Sequence, residues 1–275
     1  MLSVIPTPIG NLEDITLRAL RLLKEADAIY CEDTRTTAKL CSHYDIHTPR
    51  YAYHKHNEQK SAETILEKLR QGAHIALVSD AGMPSISDPG AHIIALARKE
   101  NLEVEVLPGP SAAITALVAS GLSCEHFRFV GFLERKGKER TNMLLSLDEE
   151  EATTIIYESP KRTKKTIAEL AERFPQRRCA LCRELTKRFE EVRLLPLEEL
   201  LESLEEEIRG EVVLVLEGAA LEKKTSLDEA IALLEEALAQ GEKKSLAAGR
   251  IAKITGHSRK TLYEAMLQKE KEATL

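Results

Sequence analysis

No apolar run in this 275-residue chain approaches the roughly 20 residues that a bilayer-spanning helix needs. The amino end offers only a short apolar stretch, residues 2–6, with no basic leader or cleavage site. Neither export nor membrane insertion is expected, and a cytoplasmic protein is. Cysteine is scarce: five residues, an odd number at scattered positions, do not make the disulfide framework of a small secreted protein. The lone C-x-x-C, Cys179 and Cys182, lies in an apolar segment that reads as a strand. Residues three apart there face opposite sides, so the pair reads as core packing. No second pair of Cys or His stands at zinc-finger spacing, and His54 and His56 in a loop are not a ligand set by themselves, so no metal is expected. Also missing are a G-x-G-x-x-G turn after a strand and a G-x-x-x-x-G-K-[ST] loop. Their absence argues against a dinucleotide-binding unit and a nucleotide triphosphatase, so a ligand has to be held without a pyrophosphate cradle. Repeats of solenoid length and low-complexity tracts are absent as well.

What is present is a well-balanced globular composition. With 43% apolar and 31% charged residues the chain fills sizeable cores and keeps a solvated surface, and its length predicts two or three compact units. The net charge of −6 argues against a nucleic-acid partner for the chain as a whole, because phosphate binding needs positive charge at the contact. The distribution is uneven, however. Residues 243–271 carry eight Lys or Arg against two Glu, a local net charge of +6.

Short runs rich in Val and Ile alternate with helical periodicity over the first 217 residues, the pattern of α/β layers with a largely parallel sheet. Strands are predicted at 2–6, 28–31, 74–79, 104–107, 127–132, 153–157, 179–183 and 212–216. Helices are predicted at 17–26, 62–70, 91–99 and 163–173. The run Pro108-Gly-Pro-Ser111 interrupts the alternation, which gives two α/β domains, residues 1–110 and 111–220. A polar stretch, residues 218–226, then leads into a segment that reads as helical throughout, a third unit over 221–275.

Polar, Gly- or Pro-containing turns follow most predicted strands: residues 6–10, 32–35, 80–84, 108–111, 158–162 and 184–187. In open α/β sheets ligands bind outside the carboxyl ends of strands, so six such turns are expected to converge on one crevice. Several are specific in sequence. Ile5-Pro-Thr-Pro-Ile-Gly-Asn-Leu12, Glu32-Asp-Thr-Arg35, Ser79-Asp-Ala-Gly-Met-Pro-Ser-Ile-Ser-Asp-Pro-Gly90, Leu107-Pro-Gly-Pro-Ser-Ala112, Glu158-Ser-Pro-Lys-Arg162 and Arg183-Glu-Leu-Thr-Lys187 together closely resemble the tetrapyrrole methylase superfamily, over roughly residues 1–220.

The resemblance implies a fold in which two α/β domains enclose S-adenosylmethionine (SAM) in a cleft, usually in a homodimer, here with a small helical carboxyl-terminal domain added. It is strongest to the members that methylate the 2′-oxygen of a cytidine in 16S ribosomal RNA, which makes the small ribosomal subunit the implied partner. The cofactor contacts it implies are Pro8, Ile9, Gly10, Gly82, Met83, Ile86, Ser111 and Ala112, with Tyr157 and Cys182 closing the site from the second domain. Relatives that act on small molecules carry Gly-Asp-Pro where this chain reads Gly82-Met-Pro84, so that carboxylate is missing here.

Methyl transfer from a sulfonium requires in-line positioning, and the proton of a ribose hydroxyl needs an acceptor. Asp33, Asp80, Asp88 and Glu158 follow strands and are the candidates, with Asp80 and Glu158 ranked first. Each also has an ordinary use, as a helix cap or as a tie within its own turn. For RNA phosphates the same rim offers Arg35, Lys161, Arg162, Lys187 and Arg188. The cluster Arg135-Lys-Gly-Lys-Glu-Arg140, with Arg135, Lys136 and Lys138, adds four cations within six residues. Residues 245–263 resemble a helix-turn-helix whose second helix is capped by Ser258 and carries Arg259 and Lys260. The narrow major groove of RNA does not admit such a helix, so phosphates or an exposed loop are its expected targets. Two alternatives stay open at this stage: a methyltransferase acting on a tetrapyrrole precursor, and a ligand-sensing DNA-binding regulator.

Overall fold

A computed structural model describes residues 1–55, 57–219 and 227–272, leaving aside the side chains of Lys253 and of residues 267–272. His56 and the linking residues 220–226 lie outside the described residues, as do the side chains of Lys253, Lys269 and Lys271 that contribute to the basic tail. The chain divides into two compact units, Met1–Ala219 and Ala220–Leu275.

The first unit holds two sheets. In the amino-terminal half the chain runs through β1 (Leu2–Val4), α1 (Leu17–Glu25), β2 (Ala28–Cys31), α2 (Thr34–His43), β3 (Arg50–Ala52), α3 (Glu58–Arg70), β4 (Ile75–Val78), α4 (Ala91–Lys99) and β5 (Val104–Val106). The strands pair in the order β3-β2-β4-β1-β5, all parallel. Strands β1, β2 and β4 are buried at every position, as strands covered on both faces must be. One face packs Tyr30 and Leu77 against Ile65 and Leu66 of α3 and Ile93 of α4, and the other packs Ile29 and Ala76 against Leu22 and Leu23 of α1 and Leu40 of α2. Helix α1 shows the local logic: Thr16 caps it by accepting from the Ala19 amide at 3.1 Å, and Ala19, Leu22 and Leu23, at helical spacing, form its buried stripe.

The second half comprises α5 (Ala112–Ser120), β6 (Phe127–Phe132), α6 (Lys138–Ser146), β7 (Thr153–Glu158), α7 (Pro160–Arg173), β8 (Arg178–Arg183), β9 (Glu191–Pro196), α8 (Leu197–Glu202) and β10 (Val212–Leu216). Its order is β6-β7-β10-β8-β9, and here the expectation of a largely parallel sheet is corrected. Only β6 and β7 run parallel, while β10 enters antiparallel to both β7 and β8, and β8 and β9 form an antiparallel pair. A continuous apolar run such as Val212–Leu216 reports burial on two faces and carries no information on direction. Cys179 and Cys182 fall in different cores on opposite faces of this sheet, as their spacing requires.

Two short contacts join the halves. Ile9, in the turn after β1, is buried among Ala113, Ala116, Leu185 and Val213 of the second half. The Asn11 amide donates to Thr186 Oγ1 at 3.0 Å. Between them sits Gly10, where an added Cβ would lie 2.8 Å from the Leu185 carbonyl oxygen and 2.5 Å from Thr186 Oγ1.

The second unit consists of α9 (Leu227–Ala239), α10 (Lys244–Thr255) and α11 (Arg259–Glu272) around Ala230, Leu234, Ala247, Ala248, Ile251 and Leu262. Helix α10 ends on Gly256 in the left-handed conformation (φ 72°), and Ser258 Oγ accepts from the Thr261 amide at 3.0 Å to start α11. Among the described residues no helix is long and apolar enough to cross a membrane.

Gly10→Ala forces the amino-terminal turn away from Leu185 and should lower stability by about 1–3 kcal/mol, the usual cost of overpacking. Urea unfolding of the purified variant tests this, and an unchanged midpoint would show that the junction yields freely.

Candidate active site

The site is built on the loop between β4 and α4. Thr7 and Gly82 exchange backbone hydrogen bonds at 3.0 and 2.9 Å, joining this loop to the turn after β1. The Thr7 hydroxyl donates to the Ser79 carbonyl at 3.1 Å, and the Ser79 hydroxyl donates to the Gly82 carbonyl at 3.0 Å. Gly82 itself takes φ +75°, and two residues with side chains, Ser85 (φ 74°) and Ser87 (φ 68°), also lie in the left-handed region. Such strain, of order 1–3 kcal/mol per residue, persists where the surroundings over-determine the backbone. The loop is therefore a pre-shaped wall.

That wall encloses a cavity of about 330 Å³, also lined by Ile9, Ser111, Ala112 and Tyr157. Of the residues expected to touch a cofactor, Ile9, Gly82, Met83, Ile86, Ser111, Ala112 and Tyr157 are brought together here. Pro8 and Gly10 are not. They line a neighbouring pocket of about 230 Å³ with Thr36, Lys39, Asp80 and Lys187. Cys182 is corrected to a core residue: it is fully buried beneath α5, its thiol lies 3.8 Å from the Ala116 carbonyl, and burial pushes it up to about 12. Four cavity residues, Phe132, Glu211, Val212 and Val213, had escaped sequence reasoning. Phe132 ends β6 with its ring 5.6 Å from that of Tyr157, and Val212 and Val213 arrive because β10 opposes β7, pairing with Glu158 and Tyr157. Only the strand direction, which the sequence does not reveal, brings the start of β10 to the end of β7.

The carboxylates divide by what already holds them. Glu158 lines the cavity but its side chain is wholly enclosed. Its Oε1 accepts from the Ser159 amide at 2.8 Å and pairs with Arg162 Nε at 3.1 Å, and Oε2 accepts from the Thr166 hydroxyl at 2.6 Å. The geometry makes it an anchor for the start of α7, not an open proton acceptor. Asp33 caps α2 and is clasped by Arg35, whose hydrogen bonds hold it down at about 2. Asp80 accepts from the Asp33 amide at 2.9 Å, and burial raises it. Glu211, at the cavity edge, pairs with Lys187 at 3.2 Å. Asp88 differs: it lines the cavity, and among the described residues no donor engages its carboxylate. Burial, then the charges of Glu32 and Asp80, push it up to about 6.

The expected RNA-facing cations also separate. Arg35 is bound to Asp33, and Lys187 to Glu184 and Glu211, so these two serve the local turns. Arg140 is corrected to a buried residue that donates to Glu169, Thr166 and the Glu134 carbonyl. Arg135, Lys136 and Lys138 are exposed. Arg135, Lys161, Arg162 and Lys165 border a groove of about 760 Å³ that shares Phe132 and Ser159 with the cavity. In the second unit the Arg259 guanidinium lies against the bare face of Gly249, and Lys260 is exposed near Glu264. Among the described residues no group of three or more His, Cys, Asp or Glu is arranged around a metal position.

Two α/β sheets thus share one cavity at their strand-end turns, the architecture of a two-domain α/β protein with a ligand cleft. The chain belongs to the Tetrapyrrole (Corrin/Porphyrin) Methylases, whose family profile matches residues 1–201. It is 40% identical over 272 residues to the ribosomal RNA small subunit methyltransferase I of Pasteurella multocida, covering 98% of this chain and 97% of the relative. To the protein of the same name from Bacillus subtilis it is 48% identical over 220 residues, 80% of this chain and 75% of the relative. The fold is shared with a diphthine synthase (TM-score 0.63, 16% identity, 78% of this chain and 89% of the other). It is also shared with the uroporphyrin-III C-methyltransferase of Thermus thermophilus (TM-score 0.56, 22% identity, 78% and 93%).

Glu158→Ala leaves the Arg162 guanidinium and the Thr166 hydroxyl without their partner and should destabilise the protein by about 3 kcal/mol. Chemical denaturation measures it, and a loss below about 0.5 kcal/mol would remove Glu158 from its anchoring role.

Proposed function

We propose that this chain is a SAM-dependent methyltransferase that modifies ribosomal RNA of the small subunit, at the 2′-oxygen of a cytidine ribose. The observation that carries the reading is the continuity of two sites: an apolar-walled cavity of small-molecule size opens, at Phe132 and Ser159, onto a groove lined by five cationic side chains, of which Arg140 and Arg162 are paired with Glu169 and Glu158. The names of the full-length relatives support the ribosomal substrate. The cytidine 2′-oxygen rests on the motif resemblance.

The residues present fit the cofactor. Gly82 presents bare backbone to the cavity at φ +75°, a conformation that side chains rarely adopt, and an added Cβ would meet Ile9 Cγ2 at an ordinary 3.4 Å. Ile9, Met83, Ile86 and Val213 supply apolar walls for an adenosyl group, and the carboxylates of Asp88 and Glu211 complement a cation. Bound SAM supplies an electrophilic methyl carbon. The protein's part is to hold donor and acceptor in line and to exclude water, which removes much of the barrier. Arg135, Lys161 and Lys165 hold phosphates and so orient the ribose. A homodimer in the cytoplasm belongs to the same reading: α5 is largely apolar, and Ile114 and Val118, 47% and 66% exposed, offer an outward face to a second copy.

Incubation with methyl-labelled SAM and small subunits, naked rRNA or DNA, with the label mapped by nuclease digestion, is expected to place it on a ribose in 16S RNA. Label on DNA alone, or on none, overturns the reading. Gly82→Val should weaken SAM binding at least tenfold in calorimetry, whereas unchanged affinity would take this loop out of the site.

The basic tail supplies a second prediction. A chain ending at Ala219 should still bind SAM and lose activity on RNA, because the cavity residues all precede position 214 while the segment of net charge +6 begins at 243. RNA affinity of the intact chain should fall more steeply with salt than that of the truncated one, since each phosphate contact releases counterions. Equal salt slopes would show that the tail is not a substrate arm.

A further inference from the structure

Phe129 and Phe132 stand three apart on β6, and in a regular strand residues three apart face opposite sides of the sheet. Here both rings reach the same neighbour, Tyr157, with centroids 4.9 and 5.6 Å away. The cause is a register shift between Phe129 and Gly131, which pair with the consecutive residues Ile155 and Ile156 and so leave Val130 as one residue too many on β6. Gly131 takes φ 67° at this point, and bulges of this kind re-aim side chains next to binding sites. Phe129 and Tyr157 end up half-buried, whereas Phe132 is turned outward and is 55% exposed. With Ser159 it lines both the cavity and the cationic groove.

We propose that Phe132 is the stacking platform for an unpaired base of the RNA substrate, the base of the nucleotide whose ribose receives the methyl group. The inference rests on the function proposed above and names the residue that presents that nucleotide. An exposed aromatic ring offers a stacking face to any base, and cations beside it track the phosphates; proteins hold single strands by this combination. The cations are in place. Arg135 follows Phe132 by three residues, and Lys161 and Lys165 lie one turn apart at the start of α7, all on the same groove. Arg140 and Arg162 are held by Glu169 and Glu158, and Lys165 meets Glu169 at 3.8 Å. Arg135 and Lys161 are thus the groove cations that, among the described residues, form no ion pair. Stacking on Phe132 needs a base with one face uncovered, so the nucleotide has to leave its own stack, as splayed bases of loops and bulges do. An adenosyl group is the competing occupant of the ring. Ile9, Met83, Ile86 and Val213 wall the cavity without bordering the groove, however, while Phe132 is the apolar wall common to both, which favours the base.

The test uses the full-length protein and its variants Phe132→Leu, Phe132→Tyr and Phe132→Trp with SAM and small ribosomal subunits. Phe132→Leu keeps apolar bulk and loses the stacking face. Its kcat/KM for subunits should fall about 10- to 100-fold, the usual worth of one stacked base, while SAM affinity in calorimetry stays within about threefold. Phe132→Tyr restores the ring and should return kcat/KM to within about threefold of wild type, a distinction that a mere packing role would not make. The chain contains no tryptophan, so Phe132→Trp places a single emitter at the proposed contact. With SAM saturating, an unstructured oligocytidylate should quench that emission, and duplex RNA of equal length should quench it far less. The proposal is overturned if Phe132→Leu retains more than about a third of wild-type kcat/KM, or if the single-stranded probe leaves the emission unchanged. Equal quenching by the duplex overturns it too, since the base would then not be unpaired. Loss of SAM affinity in parallel with activity would give the ring to the cofactor, which also overturns it. Failure of the wild type to label RNA in the same assay would instead overturn the functional reading on which this one stands.

Discussion

The burial of Ile9 is the constraint on which the rest of the first unit depends. It belongs to the turn after the first strand, yet its side chain is a member of the second half's core, among Ala113, Leu185 and Val213. Once it is inserted, Gly10 must approach Leu185 and Thr186, the Asn11 amide meets Thr186 Oγ1, and Thr7 is placed to bridge Gly82. The cavity is then a consequence of the seam: the space left between two sheets joined at Ile9 and at Asn11. A separation of the halves by even an ångström would loosen the wall and the positioning with it.

The seam also explains why the polar groups of the site look so different from one another. Most carboxylates near the strand ends are consumed by architecture. Glu158 starts α7, Asp33 caps α2, and Asp80 joins the turns after β2 and β4. Their negative charge is balanced locally by Arg162 and Arg35, or by a backbone amide. Asp88 is left with burial and like charges, which push its proton affinity toward neutrality.

Much of this was legible in the sequence. All eight strands expected from apolar runs are present, because residues such as Ile75–Val78 have no stable place except a covered sheet. The strands that were missed are those without a clear apolar run: β3 is three exposed residues at a sheet edge, and β9 mixes charged with apolar residues and is half-buried throughout. The loop residues Gly82, Met83 and Ile86 were readable as motif, but the difference between a free and an occupied carboxylate was not. Glu158 and Asp88 have the same chemistry on paper, and only the positions of Arg162, Thr166 and the Ser159 amide separate them. Cys182 was misplaced for a related reason. Its strand reaches the site, but its register turns the thiol under α5.

The position of β10 carries a temporal meaning. It lies between β7 and β8, the central strand of its sheet although the last to be made, and its first residues finish the cavity that Ile9 begins. During synthesis the amino-terminal sheet can assemble from nearly contiguous chain, but the second sheet has a gap at its centre until Val212–Leu216 has left the ribosome. The two ends of the catalytic unit, some two hundred residues apart, meet in one wall, so a nascent or truncated chain has no partly working version of the site. The topology thus acts as a completeness check: ligand-binding competence appears only when the whole of the first unit is present.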